Sequence, residues 1–228
     1  MKIGKSNFLK RCHLIALASI LTTGPAFAAS IAIVNHSFEA AGLADNDATL
    51  DTPFGWSKTG VSGIFDPGAS FFLSTSALNS NPITAGNLGD MHGTDAVFSN
   101  GAAEFQQTLG TTMVLGWEYT LTVAVGYRDV GAFDFGGYRL ELLAGGNVVA
   151  TTGNVATTPL GTFTDASLIY TAQAGDSGAL GIRLINLGNG ANGQITDFDN
   201  VRLDAVPEPS SAILAGLAAL PLVLRRRK

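Results

Sequence analysis

Two aspartates stand two apart in the run Ile195-Thr196-Asp197-Phe198-Asp199-Asn200-Val201-Arg202-Leu203 near the end of the chain. Alternate residues of an extended strand share a face, which puts Asp197 and Asp199 together with Ile195, Val201 and Leu203. If that face is the core, two carboxylates point inward. A buried carboxylate is costly on its own, so it takes up a proton, pairs with a base or binds a cation. Oxygen-coordinated calcium suits an acidic domain with few bases best. The other reading is a β-bulge or strand end that turns both acids out to water.

Other chemistry is sparse. Beyond the N-terminal region the histidines are His36 and His92, and the single cysteine, Cys12, lies close to the N-terminus. No G-x-S-x-G, H-E-x-x-H or Walker sequence occurs. Asp45-Asn46-Asp47 opens like a calcium loop, but the glycine and closing glutamate of an EF-hand are missing. Carboxylate pairs are too easily found among 18 acids to indicate a glycosidase. The chain is therefore expected not to be an enzyme.

The elements that hold these residues read as short antiparallel strands. Apolar residues recur at a spacing of two, broken by Gly, Asn and Asp. From Trp117 to Tyr127 the large residues Tyr119, Leu121, Val123, Val125 and Tyr127 take one face, and the small Thr120, Thr122, Ala124 and Gly126 take the other. Tyr138 to Leu143 turns through Ala144-Gly145-Gly146-Asn147 into Val148 to Thr152 as a hairpin. Further strands are predicted at Ile31–Phe38, Phe71–Ser74, Ala103–Thr108, Phe163–Ala172, Leu180–Leu187 and Ile195–Asp204, with Ala40–Asp51 as a loop. Nine or ten such strands predict an all-β fold, a two-sheet antiparallel sandwich of jelly-roll type over 29–205.

Both ends differ from this middle. Lys2, Lys5, Lys10 and Arg11, an apolar stretch from Leu14 to Leu21 and the small residues Ala26 and Ala28 have the layout of a signal peptide over 1–28. Residues 206–228 join Pro207-Glu208-Pro209 to an apolar run, Ala212 to Leu224, and to Arg225, Arg226, Arg227 and Lys228. As a short hydrophobic helix the run would reach roughly 20 Å against a hydrocarbon core of roughly 30 Å. Setting both ends aside leaves Lys58, Arg128, Arg139, Arg183 and Arg202 against every acid but Glu208, a stronger acidic balance than the whole-chain charge of −5. Nucleic acid is thereby excluded as a partner, because it demands basic patches.

The C-terminal layout resembles the PEP-CTERM sorting signal. The resemblance implies an exosortase-type membrane enzyme as partner, transient membrane anchoring and a final place in the cell envelope or extracellular matrix; a plain membrane anchor is the alternative. A second resemblance spans the middle. Asn35-His36-Ser37-Phe38-Glu39 followed by Gly55-Trp56, the pair Phe105–Leu109 and Gly116–Leu121, and the closing Phe198–Leu203 are similar to the galactose-binding-like jelly roll and its carbohydrate-binding relatives. That family implies a structural calcium held by Glu39 and Asp199, with Asp197 a less certain ligand, and aromatic rings stacked on sugars, for which Trp56, Tyr127, Phe133 and Phe135 are the candidates.

Together these readings give an exported, non-catalytic surface or matrix protein that binds or organises extracellular polysaccharide. The alternative is a structural surface protein with protein–protein contacts and no sugar binding.

Overall fold

A computed structural model describes residues 28–44, 46–67, 90–129, 133–189 and 193–207. The predicted strand at Phe71–Ser74, the signal peptide with Ala26, and the C-terminal helix with Glu208, Pro209, Arg225, Arg226 and Arg227 lie outside the described residues.

Within them the chain is all-β, with one short 3-10 turn at Glu39–Ala41. The strands are β1 (Ala29–Ser30), β2 (Ala48–Thr49), β3 (Ser57–Phe65), β4 (Ala96–Thr112), β5 (Trp117–Tyr127), β6 (Asp134–Phe135), β7 (Tyr138–Ala144), β8 (Asn147–Thr151), β9 (Thr162–Thr171), β10 (Ala179–Asn186) and β11 (Gln194–Pro207). All eleven belong to one hydrogen-bonded system, ordered β8-β7-β10-β4-β11-β5-β9, with β3 on the free side of β4. Only β6 on β11 is a parallel pairing. The result is a sandwich closed almost into a barrel.

One long strand joins the two layers. Ala103 to Thr112 of β4 pairs with β10, whereas Val97 to Asn100 pairs with β11. The bend falls at Gly101, with φ 72°, and β3 follows it through a register shift at Gly60, with φ 70°. A Cβ at Gly60 would lie 2.5 Å from the Ala102 carbonyl oxygen. Two strands that turn a corner in contact therefore need glycine there.

The large face of β5 supplies the main core between the layers, where Tyr119, Leu121, Val123 and Val125 pack with Leu140, Leu142 and Phe198. Its small face points the other way, onto a second cluster of Phe65, Met91, Ala96, Phe98, Ala124 and Phe163. The N-terminal segment differs from the expected strand at Ile31–Phe38. It forms a strand pair with β11 at Ala29–Ser30, keeps single backbone hydrogen bonds from Ile31 to Leu203 and from Val201 to His36, and bends with Asn35 and Phe38 at φ 50° and 60°. Gln107 clamps that bend, accepting from Val34 N–H and donating to the Val34 carbonyl, both at 2.9 Å. Among the described residues no helix is long and apolar enough to cross a membrane.

Candidate active site

The last strand carries a bulge that sorts its side chains. Asn200 has φ 47°, and the pairing of β11 with β5 slips between Asp199 and Arg202. Before the slip Phe198 stands opposite Val125, and after it Leu203 stands opposite Leu121, all in the main core. Asp197 stands opposite Gly126 and Asp199 opposite Ala124. The two aspartates therefore share the second, outer face, not the face of Val201 and Leu203 that simple alternation gives. Both are fully buried there.

Asp197 meets a base. Arg128, one residue past the end of β5, donates from Nε to Oδ2 and from Nη2 to Oδ1, each at 2.9 Å. Paired donors of this kind are the strong form of the interaction. Burial pushes the Asp197 carboxyl above its ordinary range, and the Arg128 charge and hydrogen bonds oppose that shift. The guanidinium carbon of Arg128 lies 4.0 Å from the centre of the Phe65 ring, 5.6 Å from Phe133 and 5.7 Å from Phe98. Above this group opens a cavity of about 200 Å³, lined among the described residues by Phe65, Phe98, Phe133, Ile195, Arg128, Asp47, Ala48 and Asn100. Planar rings and a cationic donor suit a compact unsaturated molecule with a hydrogen-bond acceptor.

Asp199 meets other acids. Its Oδ2 accepts from the His92 N–H at 2.6 Å, while its buried Oδ1 has no partner among the described residues. Asp95, just before β4, accepts at Oδ2 from Leu43 N–H and likewise leaves Oδ1 buried and unpartnered. Glu39 accepts at Oε1 from the N–H groups of Thr94 and Asp95, at 3.0 and 2.9 Å. The Asp199 carboxyl is pushed up to about 8, first by burial and further by Glu39 and Asp95, against hydrogen bonds from His92 and Asn200. Asp95 is raised by burial and by Glu39. Among the described residues no three His, Cys, Asp or Glu side chains form a ready metal cluster.

The aromatic candidates separate. Trp56 is in the main core, 5.3 Å from Phe38, with its N–H on the Val34 and Asn35 carbonyls. Tyr127 and Phe135 pack on each other at 5.1 Å, and Phe135 leans on the main core. Phe133 alone of the four lines the cavity. Ala28 is exposed beside β1, and Pro207 closes β11 opposite Trp117. Arg128, Phe65, Phe98 and Asp95 were not singled out from the sequence. A signal for the first existed, since Arg128 is one of only five bases in the middle of a chain with two inward-facing acids.

A family model for the HpiC1 cyclase matches residues 29–204. The chain belongs to the HpiC1-like cyclase family. A crystal structure of the Stig cyclase Fisc from Fischerella sp. TAU in complex with (3Z)-3-(1-methyl-2-pyrrolidinylidene)-3H-indole is 29% identical, covers 79% of this chain and 99% of that one, and has a TM-score of 0.65. An apo cyclase from Fischerella sp. is 30% identical over 79% and 97% of the two chains, with a TM-score of 0.64. A cyclase from Fischerella sp. TAU in complex with 4-(1H-Indol-3-yl)butan-2-one is 29% identical over 78% and 98%, with a TM-score of 0.63. Carbohydrate-binding modules align at TM-scores of 0.44 and 0.41, too distant to carry an argument. No curated protein matches the chain.

The cyclase family overturns the expectation of a non-catalytic surface or matrix protein that binds polysaccharide, and with it the structural-surface-protein alternative. Missing catalytic motifs misled because this site is assembled from single residues of different strands, with no local signature. The sugar-stacking role fails physically for Trp56, whose ring is enclosed in the core. Two of these cyclases were solved with small molecules, and nothing in the family match or in these structures supports an exosortase partner, a PEP-CTERM signal or export.

Proposed function

We propose that the chain is a small-molecule cyclase whose reaction runs in the cavity over Phe65, Phe98 and Phe133, with Arg128 as its polar contact. The observation that carries this reading is a buried, doubly hydrogen-bonded Arg128–Asp197 pair placed under an aromatic-lined opening. The rings hold an unsaturated substrate folded on itself and keep water away. The Arg128 donor meets an electron-rich acceptor on the substrate and stabilises negative charge that develops there. Asp197 fixes the guanidinium in place, so the donor is aimed before the substrate arrives. A cavity of about 200 Å³ is smaller than the roughly 300 Å³ usual for drug-sized ligands, which fits the ring systems bound by the two Fischerella cyclases.

The acidic group beside the cavity serves this site as a structural staple. Two buried carboxylate oxygens without partners, on Asp95 and Asp199, fit a hard cation, and calcium accepts such oxygens together with backbone carbonyls. Glu39, Asp95 and Asp199 would hold it, tying the N-terminal segment, the approach to β4 and the last strand together. Bound there, calcium would supply fixed positive charge that favours the ionised form of Asp199.

The test is to incubate the full chain with 3-substituted indoles that carry an unsaturated side chain. A product of unchanged mass and altered chromatographic retention, absent with Arg128→Met and with boiled protein, is the expected result. No product from any unsaturated indole, while the protein is folded and calcium-loaded, would overturn the proposal.

A further inference from the structure

Arg128 lines the cavity, and Asp197 does not. The carboxylate lies fully buried behind the guanidinium, with both oxygens engaged by its Nε and Nη2. The charge that a bound molecule meets at the floor is therefore positive. Among the described residues Phe65, Phe133 and Phe98 lie 4.0 to 5.7 Å from that positive charge, so the electron-rich faces turned to it are already occupied by a cation. A ligand ammonium in this cavity would have to compete with the guanidinium for the same faces and lie close to a like charge. Asp47 also lines the cavity, but it is exposed and its attraction is screened by water and salt.

We infer that Arg128 is the specificity-determining residue of the cavity, admitting planar aromatic molecules whose side chain ends in a carbonyl or carboxylate and rejecting those that end in a protonated amine. This rests on the cavity being the substrate site, as proposed above. The carbonyl or carboxylate oxygen meets a fixed donor, whereas an ammonium meets the repulsion of like charges facing each other across a desolvated contact.

The experiment is a binding titration of the full chain with three matched ligands: 4-(1H-Indol-3-yl)butan-2-one, the corresponding carboxylate and the corresponding primary amine. The wild type is expected to bind the ketone and carboxylate at least about tenfold more tightly than the amine, since tenfold needs only about 1.4 kcal/mol. Arg128→Met is expected to abolish that preference, because it removes the charge that repels the amine and frees the ring faces, while the buried Asp197 left behind takes up a proton. A purely structural role for Arg128 would weaken all three ligands together and leave the order unchanged. Where R128M does not fold, R128Q retains an amide donor toward Asp197 without the charge and carries the same comparison. Asp47→Asn should leave the order unchanged. Equal binding of all three ligands to the wild type would overturn the inference and leave the cyclase site standing; no binding of any of them would overturn both.

Discussion

Gly126 stands directly across from Asp197 in the pairing of β5 with β11, and a Cβ at 126 would come within 3.1 Å of the Asp197 Cβ and 2.7 Å of the Phe163 ring. The small face of β5 thus has a purpose: it leaves depth for a charged pair on the outer side of the sheet. Gly126→Ala is expected to destabilise the fold by about 1–3 kcal/mol, the usual cost of overpacking, and to weaken binding in the proposed cavity by shifting Asp197 under Arg128. Urea unfolding and a ligand titration on the same variant check both parts. Unchanged stability with unchanged binding would contradict this account of the face.

The Arg128–Asp197 pair makes its own prediction. Asp197→Leu leaves a buried guanidinium without its counter-charge, which costs about 3–5 kcal/mol when one partner of a buried pair is removed. The double variant Asp197→Leu with Arg128→Met removes both charges and should recover most of that loss while abolishing turnover. A double-mutant cycle from chemical denaturation reports the coupling. Additive effects of the two single changes would show that the residues do not act as a pair.

How far the fold was legible depended on the strand. The alternation of β5 was plain because Tyr119, Leu121, Val123 and Val125 meet the core at every second position. Strand β3 was missed because Gly60 and Gly63 interrupt it and Lys58, Thr59 and Ser62 give it no apolar period. Those glycines answer to other strands: Gly60 to the corner with β4, and Gly63 to the Thr49 carbonyl, 2.0 Å from where its Cβ would be. Local pattern cannot report a close approach by a distant backbone.

The site was half legible for a similar reason. Two acids on one face of the last strand were visible, but the face was assigned wrongly, since the bulge at Asn200 depends on a positive φ that sequence alternation does not encode. The partner of Asp197 is 69 residues away, and that of Asp199 is a backbone N–H 107 residues away. The resemblance that offered Glu39 and Asp199 as calcium ligands did not offer Asp95, whose unpartnered oxygen emerges only once β4 and β11 lie side by side.

Gln107 tests how the N-terminal segment is held over the core. Its amide makes both a donor and an acceptor contact to Val34 from a buried position. Gln107→Leu removes both and leaves the Val34 N–H without its partner, while the Trp56 N–H still reaches the Val34 carbonyl, at an expected cost of about 1 kcal/mol. Amide hydrogen exchange should then rise from Ile33 to Phe38 ahead of the rest of the sandwich. Protection unchanged in that stretch would mean the clamp is not what holds it.

The acidic group predicts a pH dependence whose sign can be worked out. Asp199 in the ion-free fold is pushed up to about 8 from an ordinary 3.8, mainly by burial, so the folded state holds the proton more tightly than the unfolded state. Stability is then fully present below about pH 4 and is lost as pH rises toward 8, at up to about 1.4 kcal/mol per pH unit. Asp95, raised by burial and by Glu39, acts in the same direction. His36 is lowered by burial and by the charges of His92 and Arg202, and it destabilises only as pH falls below its usual 6.5, so the comparison belongs between pH 6.5 and 8. Across that window the calcium-free protein should melt at progressively lower temperature, and the gain on adding calcium should grow, because the cation replaces the proton that Asp199 otherwise keeps. Asp199→Asn should flatten both trends, since its amide neither titrates nor carries charge for the ion. Thermal melts with chelator and with calcium at pH 6.5 and 8 decide it: a calcium-free melting temperature that does not fall with pH, together with no calcium gain at pH 8, would remove the staple from the account of this fold.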